Sequence, residues 1–124
     1  MSDENVWKLD YLSVSGGTDQ IPTATVRLKK GDEVLLDSAI GNGFVNAVMK
    51  AIDRIINCSG RLIIYFVKAT APGSDAFGEV VLRVDFGDEI VINGQGESTD
   101  IIEASAKAYL NAVNRYIIRK NSSI

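Results

Sequence analysis

The sequence repeats itself at long range. Gly31-Asp32-Glu33-Val34 and Gly87-Asp88-Glu89-Ile90 stand 56 residues apart. Each precedes a strand-like run, a glycine-containing loop and a helical pattern. A period of that length belongs to a duplicated supersecondary unit, so the fold must be one that two copies can build.

In the first copy, residues 21–29 alternate, with Ala24, Val26 and Leu28 on one face and Thr23, Thr25, Arg27 and Lys29 on the other. That is the period of a half-buried strand. Lys30-Gly31-Asp32 then turns and residues 33–40 return as a second strand. Residues 7–15 are also strand-like, but their apolar face shifts from Trp7, Leu9 and Tyr11 to Leu12 and Val14, which predicts a bulge. Gly41-Asn42-Gly43 opens a helix carrying Val45, Val48, Met49, Ile52, Ile55 and Ile56.

The second copy starts at a strand over residues 61–70. Its unbroken apolar run from Leu62 to Val67 predicts cover on both faces, by a helix and by a partner chain. Ala71-Pro72-Gly73-Ser74 is a loop, Val80, Leu82, Val84 and Phe86 alternate, Gly87-Asp88 turns, and residues 89–94 return. A long helix follows, with Ile102, Ala106, Tyr109, Leu110, Val113, Tyr116 and Ile117 at helical spacing. The expected fold is α+β: two β-β-β-α units related by pseudo-two-fold symmetry, mostly antiparallel strands with two helices, and dimeric. Residues 1–6 are expected to form a disordered tail and residues 7–119 one domain, with repeats over 7–57 and 61–119. Residues 120–124 are expected to be a C-terminal tail.

Composition narrows the function. A net charge of -3, with the basic residues dispersed, argues against a nucleic-acid footprint. The longest aliphatic-aromatic run is far too short for a bilayer span, and the acidic start, Ser2-Asp3-Glu4, is unlike a targeting peptide. The single Cys58 supports no disulfide framework, so a reducing, cytoplasmic setting is expected. With no histidine and one cysteine, the commonest general base and the usual metal clusters are missing from the sequence. Gly41-Asn42-Gly43 and Gly94-Gln95-Gly96 complete neither a dinucleotide fingerprint nor a P-loop. No catalytic residues, metal or cofactor are therefore expected in this chain.

What remains is the chemistry of the two helix starts. A helix N-terminus presents unpaired N–H groups and about half a positive charge, which suits a carboxylate. Gly41 and Gly43 would let an anion approach the backbone closely. At the second start, Ser98, Thr99 and Asp100 could hold an ammonium group, or serve only as the helix cap, with Asp100 and Glu103 at capping-box spacing. A small zwitterion with an apolar tail fits such a pair of starts, with Ile101, Val45 or Tyr65 around the tail.

Several separated segments carry a resemblance to a known family. They are Trp7-Lys8-Leu9-Asp10-Tyr11-Leu12-Ser13-Val14-Ser15-Gly16, Ile21-Pro22-Thr23-Ala24-Thr25-Val26, Gly41-Asn42-Gly43-Phe44-Val45-Asn46-Ala47, Asp75-Ala76-Phe77-Gly78-Glu79-Val80 and Ser98-Thr99-Asp100-Ile101-Ile102-Glu103-Ala104-Ser105. In these the chain resembles the C-terminal regulatory domain of 2-isopropylmalate synthase and its relative citramalate synthase, over nearly its whole length. The resemblance implies a homodimeric feedback domain that binds an end-product amino acid and shuts down a separate catalytic barrel, the part that carries the divalent metal and acetyl-CoA chemistry. It implies L-leucine as effector for the first enzyme and L-isoleucine for the second; a dimerisation module without an effector site is the further alternative. The effector-binding positions it implies are Gly41, Asn42, Gly43, Val45, Ala47, Tyr65, Ala76, Asp100 and Ile101. The family's loop commonly reads Gly-Asp-Gly-Pro-Val-Asp-Ala, and this chain departs from it at Asn42, Phe44 and Asn46.

Overall fold

The computed structural model describes residues 5–69 and 78–122, in two compact units that divide after Ser59. Each unit is three strands followed by one helix, as the repeat predicts.

In the first unit, β1 (Lys8–Gly17), β2 (Gln20–Lys30) and β3 (Glu33–Ile40) form an antiparallel sheet in that order, and α1 (Phe44–Ile56) covers one face. Ala24, Val26 and Leu28 of the central strand are fully buried beneath the helix residues Ala47, Val48, Ala51 and Ile52. The predicted bulge is present. Leu9 pairs with Leu28 and the next pair is Tyr11 with Arg27, so Asp10 is the extra residue. The slip turns Tyr11 to the outer face, where the Arg27 guanidinium lies 5.1 Å from its ring and bonds the Asp10 carboxylate at 2.6 Å. Leu12 and Val14 then return to the helix side, opposite Val26 and Ala24. Asn57 ends α1 in the left-handed region at φ 64°, its N–H donating to the Asp53 carbonyl at 2.7 Å; asparagine tolerates this conformation better than most side chains.

In the second unit, β4 (Arg61–Ala69), β5 (Gly78–Asp85) and β6 (Val91–Ser98) form the sheet, and α2 (Ile101–Ser122) runs across it for about 33 Å. The predicted loop at residues 71–74 lies outside the described residues. The matched turns differ. In the first unit Lys30 pairs with Glu33 around Gly31 (φ 61°), a two-residue hairpin. In the second, a loop spans residues 86–90, closed by Phe86 N–H to the Ile90 carbonyl at 2.9 Å, with Asp88 and Glu89 both at positive φ. The matched tetrapeptide opens wider here, next to the Phe86 ring, which stacks on Tyr116 of α2 with centroids 4.3 Å apart.

The contact between α2 and β6 is made by small residues. A Cβ on Gly96 would stand 2.6 Å from both the Ala104 carbonyl oxygen and the Ala108 nitrogen, and one on Gly94 would meet the Ala112 Cβ at 2.9 Å. The apolar stripe read from the sequence is buried at Ala106, Tyr109, Leu110 and Val113, while Ala104, Ala108 and Ala112 form the row that lets the backbones approach. On the outer side of that contact, the Asn111 side-chain oxygen accepts from the Gln95 N–H at 3.1 Å, and Arg115 donates to the Asn93 carbonyl at 2.9 Å. These bonds occupy backbone groups of the β6 edge that could otherwise pair with another strand.

The β4 edge is different. The helix lies mainly over β5 and β6 and reaches β4 through the bond between Tyr65 and Ser105. A register shift between Leu62 and Ile64 puts Ile64 and Phe66 on the outer face, opposite Arg83 and Val81, and Tyr65 and Val67 on the helix-facing side. Ile63, Ile64, Tyr65, Phe66 and Val67 are all exposed, Phe66 at 56%. Among the described residues no helix is long and apolar enough to cross a membrane.

Candidate functional site

The start of α1 is built by backbone. Gly41 donates its N–H to the Pro22 carbonyl at 3.0 Å, and a Cβ on Gly41 would stand 2.5 Å from the Ala47 nitrogen. Glycine is needed here for close approach. The loop is tied from the other side by Asn46, whose side-chain oxygen accepts the Asn42 N–H at 3.0 Å. Gly43 is the N-cap, in an extended conformation at φ -168° and ψ 173°, with open space where a side chain would stand. It supplies no side-chain cap, and the first turn contains no acidic residue. The N–H groups of Phe44, Val45 and Asn46 precede the first intrahelical bond, Ala47 N–H to the Gly43 carbonyl at 2.9 Å, and so face outward at the positive end of the helix. The Phe44 ring lies against Gly16, where a Cβ would meet it at 2.9 Å. Val45 is half-buried and Ala47 fully buried behind the loop.

The start of α2 is occupied by its own side chains. Asp100 Oδ1 accepts the N–H groups of Ile102 at 2.8 Å and Glu103 at 3.3 Å. The buried Ser98 hydroxyl accepts from the Asp100 N–H at 3.1 Å and donates to the Glu103 carboxylate. Asp100 thus caps the helix, while its own N–H is taken by Ser98 and not by Glu103.

Beside this cap, the Tyr65 hydroxyl lies 2.6 Å from Ser105 Oγ, and Ser105, 1% exposed, donates to the Ile101 carbonyl at 2.8 Å. The Ile101 side chain lies over Gly78, where a Cβ would collide with it, and is 38% exposed. Gly41, Asn42, Gly43, Val45 and Ala47 therefore cluster in the first unit, and Tyr65 and Ile101, with Asp100 adjacent, in the second. Ala76 lies outside the described residues. Nothing local in the sequence points to Ser105, because a serine inside an alanine-rich helix carries no signal of a bond to a strand residue 40 positions away.

A separate open hollow of about 400 Å³ is lined by Ala39, Ile40, Lys50, Asp53, Arg54, Cys58 and Ser59. Burial, reinforced by the Asp53 carboxylate that accepts from its thiol at 3.3 Å, pushes Cys58 up to about 12, which leaves no thiolate for nucleophilic work. Among the described residues no group of histidine, cysteine, aspartate or glutamate side chains could hold a metal ion.

Comparison with known proteins agrees with this architecture. The family model described as the LeuA allosteric (dimerisation) domain matches residues 1–117. The chain is 44% identical over 115 residues to the 2-isopropylmalate synthase of Methylacidiphilum infernorum, covering 93% of this chain and 23% of that protein. It is 45% identical over 113 residues to that of Pelotomaculum thermopropionicum, covering 91% and 22%. It is 47% identical over 111 residues to that of Carboxydothermus hydrogenoformans, covering 90% and 22%. The chain thus spans less than a quarter of the length of each of these relatives. A duplicated β-β-β-α chain with this match across nearly its whole length belongs to the LeuA allosteric (dimerisation) domain family.

Proposed function

We propose that this chain is the feedback-regulatory domain of a 2-isopropylmalate synthase, and that it binds the end product L-leucine and works as a homodimer. The observation that carries the reading is the difference between the two helix starts. The N-terminus of α1 has a glycine cap, open space beside it and no acidic side chain, whereas that of α2 is filled by Asp100. An α-carboxylate at the first start would accept from the N–H groups of Phe44, Val45 and Asn46 and meet the positive end of the helix dipole. Gly41, Asn42, Gly43, Val45 and Ala47 are the effector positions of that loop. Tyr65, Ala76, Asp100 and Ile101 are those of the second unit.

The exposed apolar strand β4 supports the dimer, since it shows apolar side chains on both faces, Phe66 on one and Val67 on the other. The kinship with isopropylmalate synthases favours leucine over isoleucine. The acyl transfer itself, with acetyl-CoA as substrate and a divalent metal, would belong to a catalytic barrel in the remaining length of such an enzyme. Leucine would act on that barrel by binding more tightly to one of two states of the domain.

Gly43→Asp tests the carboxylate seat. Position 43 has the backbone and the space for an aspartate, and an N-cap aspartate would occupy the free N–H groups itself. The variant should unfold at the same temperature as the parent or higher and lose leucine binding at least tenfold by calorimetry. Unchanged leucine affinity would contradict the assignment.

A further inference from the structure

Asparagine precedes glycine twice in the sequence, at Asn42-Gly43 and at Asn93-Gly94. In such a pair the glycine nitrogen can attack the carbonyl carbon of the asparagine side chain, since glycine has no side chain to obstruct the approach. The attack needs a glycine N–H that no partner holds and an asparagine side chain free to swing onto it.

The two pairs differ in both respects. Gly94 pairs with Leu82 inside the ladder of β5 and β6. The Gln95 N–H donates outward to Asn111, so by the alternation of an antiparallel strand the Gly94 N–H points inward to β5. Asn93 is held twice, its side-chain oxygen accepting from Arg83 and its carbonyl from Arg115, each at 2.9 Å. Asn42-Gly43 is in a loop, and Asn42 is exposed. Among the described residues nothing bonds the Asn42 side chain or the Gly43 N–H, and the space beside Gly43 is open. The chain just ahead is fixed, with the Gly41 N–H on Pro22 and the Asn42 N–H on Asn46. The positive end of α1 follows directly, which favours the negative charge that develops as the Gly43 nitrogen loses its proton.

We propose that Asn42-Gly43 is a deamidation site of the folded chain. The Gly43 nitrogen gives its proton to hydroxide and bonds to Asn42 Cγ. The side-chain nitrogen takes a proton from water and leaves as ammonia, which closes a five-membered succinimide. Water then opens the ring. Cleavage at Cγ gives aspartate, and cleavage at the main-chain carbonyl carbon gives isoaspartate, with the chain rerouted through the side chain. Either product places a carboxylate beside the open start of α1 and lowers the net charge of -3 by one.

The test is peptide mapping by mass spectrometry of the full chain after incubation at pH 8, with and without urea. In the folded chain, conversion at Asn42 should outrun that at Asn93 at least about tenfold, because Gly94 reacts only when the ladder opens. In urea the two rates should come together. Gly43→Ala, which has space for its methyl group, should slow conversion at Asn42 severalfold at retained helix content. Asn42 left intact in the folded chain, equal rates at the two pairs without urea, or undiminished conversion in Gly43→Ala would each overturn the proposal.

Discussion

The Ala104 carbonyl oxygen lies 2.6 Å from the point where a Cβ on Gly96 would stand. Backbone here meets backbone, so neither side can give way by a rotamer change. Gly96→Ala should therefore destabilise the chain by about 2 kcal/mol or more, as over-packed sites do. Gly17→Ala, with nothing within 4 Å of its Cβ and no positive φ, should stay within about 0.5 kcal/mol of the parent. Urea unfolding of the two variants checks the contrast.

Asp100 closes the start of α2 through two backbone N–H bonds. Asp100→Ala should cost about 1 kcal/mol in urea unfolding, the usual magnitude for a lost cap. If Asp100 also touches the effector, leucine affinity will fall by more than the change in stability accounts for. A loss of stability alone would restrict Asp100 to capping.

The exposed β4 strand predicts its own phenotype. Phe66 is 56% exposed on the outer face, opposite Val81. An aspartate there costs the isolated unit little and would bury a charge in any interface that forms on that face. Phe66→Asp should convert dimer to monomer by light scattering at unchanged helix content. A dimer of undiminished affinity would place the interface elsewhere.

Cys58 predicts a pH-dependent contrast. Its thiol is pushed up to about 12 from an ordinary 9.0, by burial first and then by Asp53. At pH 8 the thiolate fraction in the folded chain should be roughly a thousandfold below that of the unfolded chain, and reaction with a disulfide reagent correspondingly slower. The folded state holds this proton more tightly than the unfolded one. Its contribution to stability is therefore complete below pH 9 and declines as pH rises towards 12. Asp53→Asn should speed the reaction by removing the neighbouring charge.

Much of this molecule was legible in the sequence because its signals are local. The alternation of Ala24, Val26 and Leu28 follows from side chains pointing to opposite faces of a strand, and so does the bulge, although the shift read between Tyr11 and Leu12 falls at Asp10 and takes Tyr11 off the face of Leu9. The Asp100 cap follows from spacing alone. The features that were not legible are relations across the fold. The alanine row of α2 is hidden from apolar periodicity because its partners, Gly94 and Gly96, have no side chains. The widening at residues 86–90 goes with the Phe86 stack on Tyr116, 30 positions further along the chain. At the candidate site, the departure at Asn46 suggests lost chemistry, yet its amide oxygen accepts the Asn42 N–H as a carboxylate oxygen could. The bond between Tyr65 and Ser105 joins residues 40 positions apart, and no local pattern encodes it.

Calorimetry of this chain with L-leucine, then with L-isoleucine in the same buffer, bears most directly on the central claim. The two ligands differ in where one methyl group branches, a difference worth about 1–3 kcal/mol in an apolar pocket. The account predicts saturable leucine binding, with isoleucine at least several-fold weaker. Tighter binding of isoleucine would contradict the assignment to leucine feedback. A folded dimer giving no heat with either would contradict an effector site altogether.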